Sequence, residues 1–172
     1  MFWKQYKKQI GKWVLLVLTL ATVGFIFSNS LKSAPESSAQ SDTVVEVVRP
    51  PAEVILPIVG VEPTRGMIVE IVRTMAHGAE FALLGCLAFW TVWLWSDKAW
   101  MRAVIPPLFG FATAAADEAI QLTSPGRAWQ FSDLAVDGAG VLCGILFAFL
   151  CILLARAIQK KRTRHKKTVN NL

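Results

Sequence analysis

What this sequence lacks narrows its reading at once. Its 172 residues include three cysteines, and Cys86, Cys143 and Cys151 form no Cys-x-x-Cys pair. An odd number of isolated cysteines inside apolar runs excludes a disulfide framework and a thiolate zinc site, so they read as small hydrophobes. There are only two histidines and one tyrosine. No His-Glu-x-x-His helix, no Gly-x-Ser-x-Gly nucleophile turn and no phosphate-binding glycine loop occurs, which leaves a serine-nucleophile mechanism with little support. No internal repeat or low-complexity tract occurs either. Charge is scarce, at 17% of residues against 54% hydrophobic, and mean hydropathy is +0.47. That balance is too apolar for an ordinary soluble domain of this size and points to an integral membrane protein.

The apolar residues fall into four runs long enough to cross a bilayer, which takes about 20 residues. The first is 13–31, uncharged and preceded by a basic segment over 1–12. It exceeds the roughly 7–15 apolar residues of a signal-peptide core, so it reads as a retained span. Residues 32–74 form an extracytoplasmic loop. Pro50, Pro51, Pro57 and Pro63 predict that this stretch lies on the membrane surface as short pieces, because proline interrupts helix hydrogen bonding. Thr64 is placed to cap a helix that enters the membrane near Met75. The remaining spans are 75–95, 103–122 and 134–155, making 75–155 a three-span core followed by a basic tail over 156–172. Pro106 and Pro107 would sit in the first turns of the third span, where missing amides cost least. Seven Trp and ten Phe, many near the ends of these runs, suit the membrane interface.

The expected fold is therefore an all-α membrane four-helix bundle with both termini on one side. Of the 18 Lys and Arg, thirteen fall on the terminus side and five on the other. By the positive-inside rule the termini are cytoplasmic in a cell-membrane, multi-pass protein. A net charge of +6 can signal nucleic-acid binding. Here the basic clusters flank apolar runs and no such motif is present, so the expected partners are membrane lipids and not nucleic acid.

Ionisable groups inside apolar runs are costly and usually functional. His77 and Glu80 lie early in the second span, Asp117, Glu118 and Gln121 late in the third, and Asp133 and Asp137 around the start of the fourth. Because the spans alternate in direction, these groups converge on one layer just inside the outer interface. His77 and Glu80 share a helix face, as do Asp117 and Gln121. Asp117 and Glu118 are about 100° apart around the axis and cannot point the same way. Asp133 can equally be only the N-cap of the fourth span. Gly140, Gly144 and Gly85 are small residues that let helices approach closely in lipid.

With these residues in view, "RTMAHGAEFALLG" and "DEAIQLTSPGRAWQFSDLAVDGAGVLCG" together resemble the VanZ-like membrane protein family. The pattern falls on Arg73, His77 and Glu80, then Asp117, Glu118 and Gln121, then Pro125, Gly126 and Arg127, then Asp133, Asp137, Gly140 and Gly144. "FIFSNS" near residue 25 looks like the end of that family's first helix. Gly78 and Phe81 depart from the aromatic and the tyrosine common there. The resemblance implies a role in the cell envelope and in susceptibility to teicoplanin, a lipid-tailed glycopeptide antibiotic.

Two functions fit. In the first, an outward-facing polar pocket binds or modulates an envelope lipid, a lipid-linked cell-wall precursor or a lipoglycopeptide, with Arg127, Gln121 and Arg73 as the contacting residues. Arginine engages phosphate through paired hydrogen bonds. In the second, a membrane-embedded hydrolase or transferase acts on a lipid-linked phosphate or glycolipid. His77, Glu80, Asp117, Glu118, Asp133 and Asp137 are then the catalytic candidates. His77, Glu80, Glu118 and Asp133 would be the ligands of a divalent metal.

Overall fold

The computed structural model describes residues 2–124 and 131–169. It contains five α-helices and no strand among those residues: α1 Phe2–Ser30, α2 Ala34–Ile55, α3 Arg65–Trp95, α4 Ala99–Gln121 and α5 Phe131–Val169. Four of them are long and apolar enough to cross a membrane, with candidate spans Gln9–Ser30, Arg65–Trp95, Ala99–Gln121 and Phe131–Thr163. The expected all-α bundle is the observed one. The helix of the fourth span, α5, also runs on through most of the basic tail.

The helix α3 is the central element, in contact with each of the other four and most extensively with α5. Its 31 residues make it about 46 Å long at 1.5 Å per residue. Phe81 and Leu84 of α3 pack with Ile26 of α1, Ala114 of α4 and Val141 of α5 in the bundle core. Towards the other end, Phe89 meets Ala148 and Ile152. Hydroxyls inside the spans are satisfied locally or across helices, as lipid demands. Thr19 Oγ1 donates to the Leu15 carbonyl at 2.8 Å and lies 2.9 Å from Thr91 Oγ1 of α3.

The predicted glycine seam is present. A Cβ on Gly144 would overlap the Ala82 carbonyl, and one on Gly85 would overlap the Val141 carbonyl. One on Gly140 would lie 2.5 Å from the Gly78 carbonyl oxygen. Any larger residue at these positions forces α3 and α5 apart.

The expectation of short interfacial pieces after the first span is corrected. Residues 34–55 form one helix that continues through Pro50 and Pro51. Tertiary packing carries it past the two lost amides. Val45 of α2 is fully buried against Ile68 and Val72 of α3, with Val48 and Ala52 beside them. On the solvent side Arg49 bridges to Glu53 at 2.7 Å. At the start of α2, Glu36 accepts from the Ser33 hydroxyl at 2.7 Å and amide at 2.9 Å. These bonds hold its carboxyl below the usual range. A 3-10 turn, Leu56–Val59, follows and ends on Gly60 at φ 78°, a left-handed conformation that glycine adopts without Cβ strain. Thr64 then caps α3 as expected, accepting from the Met67 amide at 3.3 Å.

The third span also differs. Its helix α4 begins at Ala99, so Pro106 and Pro107 lie two turns inside it and not in its first turns. They remove the amides that the Arg102 and Ala103 carbonyls would otherwise accept from.

Candidate functional site

Four helices bring polar groups to one end of the bundle. The helix α1 contributes Asn29 and Ser30 in its last turn, α3 His77 and Glu80, α4 Asp117, Glu118 and Gln121, and α5 Asp133 and Asp137. The alternating direction of the spans places these sequence positions side by side.

Asp117 is fully buried and held from two helices. The Ser30 hydroxyl donates to its Oδ1 at 2.5 Å, and the Gln121 amide donates to its Oδ2 at 2.8 Å. The Ser30 carbonyl in turn accepts from the Ser124 hydroxyl at 2.9 Å. Gln121 thus sits in the network as a brace for Asp117. Glu80 Oε1 accepts from Asn29 Nδ2 at 3.0 Å, and Asn29 Oδ1 accepts from Lys32 Nζ at 2.8 Å. Asn29, Ser30, Lys32 and Ser124 were not among the candidates. The signal for Asn29 and Ser30 was present in "FIFSNS", polar residues ending an otherwise apolar span, which served only as a point of resemblance.

Asp137 is different. It is fully buried, yet neither of its carboxylate oxygens has a hydrogen-bond partner among the described residues. Its closest cationic candidate is His77, whose Nδ1 lies 3.8 Å from Oδ1, within ion-pair range but beyond a hydrogen bond. Glu118 is 1% exposed and packed in the same interior. Carboxylates crowded into a low-dielectric interior repel one another, and a cation entering the site offsets that repulsion.

His77, Asp117 and Asp137 each offer a ligand atom within 4.8 Å of the other two. Two ligands at about 2.1 Å from a common ion are at most about 4.2 Å apart, and His77 Nδ1 and Asp137 Oδ1, at 3.8 Å, meet that limit. Glu80, Glu118 and Asp133, named from sequence as metal ligands with His77, fall outside this trio. Asp133 is the third residue of α5 and not its N-cap. Its half-buried side chain lines a narrow crevice with Arg73, Thr74, His77 and Val136. Arg127 lies outside the described residues.

On the far face of His77 and Glu80 is a cavity of about 430 Å³. Arg73, His77, Glu80 and Asn29 form its polar wall, while Val44 and Val48 of α2 and Val72 and Met75 of α3 form its apolar wall. Binding cavities for small ligands usually span about 300–1,000 Å³. Arg73 borders both the cavity and the crevice beside Asp133. The sequence candidates therefore divide into two groups. His77, Glu80 and Arg73 face a cavity, while Asp117, Glu118, Gln121 and Asp137 are buried behind it.

No curated protein and no solved structure matches the chain. The family described as VanZ/LLP1 matches it over residues 13–154, from the first span through nearly all of the last. With four membrane-length helices and the matched segment covering the whole polar layer, the chain belongs to the VanZ/LLP1 family of membrane proteins.

Proposed function

We propose that this protein is a multi-pass cell-envelope protein, with cytoplasmic termini, whose polar layer binds an envelope lipid or a lipid-linked cell-wall precursor. The observation that carries the reading is the two-sided cavity: cationic and hydrogen-bonding groups on α3 face valines of α2. A ligand with a phosphate or sugar head and an apolar tail satisfies both walls. Arg73 would engage a phosphate, and Glu80 and Asn29 would engage hydroxyls. Control of such a ligand is the route by which the protein would alter teicoplanin susceptibility.

The test is binding of a polyprenyl phosphate to the purified full-length protein in neutral detergent. Arg73→Gln and His77→Ala should each weaken binding by tenfold or more at unchanged thermal stability, and wild-type affinity in both removes the proposal. Reporter fusions after residues 45, 98, 128 and 170 should read outside, inside, outside and inside. A reversed pattern would place the cavity on the cytoplasmic face.

A second reading rests on the His77, Asp117 and Asp137 trio. A divalent metal drawn in by these side chains would make the protein a hydrolase or transferase of lipid-linked phosphates. Metal analysis of the purified protein decides between the two. Stoichiometric metal that is lost on His77→Ala supports the enzyme, and a metal-free protein that binds its ligand supports the binder.

A further inference from the structure

The opposite end of the bundle holds a second site, with opposite charge. Between α3, α4 and α5 lies a groove of about 460 Å³, floored by Phe89, Leu142, Ile145, Leu146 and Phe149. At its mouth two arginines converge on one indole. The Arg102 guanidinium carbon lies 3.8 Å from the centre of the Trp93 ring, and that of Arg156 lies 4.9 Å from it. Arg102 is anchored by donating to the Trp93 carbonyl at 3.1 Å and to Asp97 at 2.9 Å. Its Nε is buried without a hydrogen-bond partner among the described residues. Arg156 has no carboxylate partner among the described residues, so the mouth carries more positive than negative charge.

The level of this groove is also marked. Trp13 packs edge-on against Trp95 at 5.2 Å, and Lys12 Nζ stands 5.5 Å over the Trp95 ring. Indoles interleaved with basic residues at the ends of spans mark the depth of lipid headgroups. The floor of the groove faces outwards: Leu142 is 51% and Leu146 56% exposed, on the surface that meets lipid tails.

We infer that this groove binds one anionic phospholipid from the leaflet on the side of the termini, its phosphate between Arg102 and Arg156 and an acyl chain along Leu142, Leu146 and Phe149. Arginine suits the task. Its planar fork pairs with phosphate oxygens while the guanidinium face stays stacked on the indole. The apolar floor excludes a soluble phosphate as the intended occupant, because phosphate alone leaves it uncovered. The site is distinct from general attraction to the basic tail, which is diffuse and needs no groove.

Native mass spectrometry of the full-length protein tests this. The protein is incubated with equal amounts of phosphatidylglycerol and phosphatidylcholine of matched chains. One phosphatidylglycerol should be retained per chain, preferred at least tenfold. The double variant Arg102→Gln, Arg156→Gln should abolish that preference, and Lys160→Gln, Lys161→Gln, Arg162→Gln together should preserve it. Leu146→Trp, which fills the groove and keeps both arginines, should also lose the bound lipid. Equal retention of the two lipids by the wild type overturns the inference, as does full retention in the double variant. Loss in the tail variant matching that in the arginine pair assigns the lipid to the tail instead. Displacement by soluble glycerol phosphate assigns the site to a free phosphate ester. If the double variant does not fold, Leu146→Trp decides, and unchanged retention there overturns the inference.

Discussion

The two ends of α3 solve opposite problems by opposite means. Around His77 and Glu80 the charges are carboxylates, enclosed by α1, α4 and α5, and Asp117 and Asp137 are fully buried. Around Trp93 the charges are arginines, at the rim of a lipid-facing groove. Side-chain length explains the contrast. Aspartate is too short to reach the interface from inside a span, so a buried acid is costly unless partners are built into the protein, as Ser30 and Gln121 are for Asp117. Arginine covers apolar surface with its stem and carries its charge outwards, so an indole and a carbonyl are enough to position it. A carboxylate layer therefore records a constructed interior, whereas an arginine pair records a boundary with lipid.

The contrast is broken most completely at the seam the two ends share. Gly144→Val should drive α3 from α5 along their whole length, because the new side chain meets the Ala82 backbone. Overpacking costs about 1–3 kcal/mol and more against fixed backbone. The expected result is loss of monodisperse protein on gel filtration. Gly24→Val, with nothing within 4 Å of its added Cβ, should leave the profile unchanged. If both behave alike, the seam does not hold the bundle.

The next effect is confined to the acidic end. Ser30→Ala removes the hydroxyl that donates to Asp117 and leaves a buried carboxylate oxygen short of a donor. The expected loss is about 1–3 kcal/mol, read as a lower thermal midpoint in detergent. An unchanged midpoint would mean that this bond contributes no net stability.

Asp137→Asn should move stability the other way. It keeps shape and removes a buried carboxyl group that has no hydrogen-bond partner among the described residues. A midpoint equal to or above wild type, with ligand binding reduced tenfold or more, would mark Asp137 as kept for function at a cost to the fold. A lower midpoint would show that its carboxyl group stabilises the fold.

The smallest effect belongs to the basic end. Arg102→Lys keeps the charge and loses the stacked plane on Trp93, worth about 0.5–1 kcal/mol at such a site. The thermal midpoint should fall slightly, and less than in Ser30→Ala. A larger fall would place Arg102 among the residues that hold the interior together.

The spans and the polar layer were legible because both follow from local rules. Uncharged runs of membrane length form helices, and alternating direction collects His77, Glu80, Asp117 and Asp137 at one end. The glycine-rich contact between α3 and α5 was legible for the same reason: Gly85, Gly140 and Gly144 permit a close approach wherever a partner helix exists. What sequence did not show depended on that partner. Pro50 and Pro51 argued against a helix, and only burial of Val45 against Ile68 and Val72 outweighs them. The role of Ser30 depends on Asp117, 87 positions later. The division between cavity-facing and buried acids depends on where α2 lies, and no spacing within the individual spans encodes that.

The bond from Ser30 to Asp117 also makes two spans unequal in what each needs from the other. The helix α1 leaves the ribosome first and carries its hydroxyl into the membrane without needing Asp117, because that hydroxyl can donate to the Ile26 carbonyl. The helix α4 has no such independence. An aspartate costs about 2.5–3.5 kcal/mol to insert at a span centre and less towards its ends, and α4 carries Asp117 and Glu118 in its last turns. The hydroxyl of Ser30 on α1 offsets part of that cost by donating to Asp117. An α4 that inserts without α1 therefore lacks the donor that its buried Asp117 uses in the folded bundle.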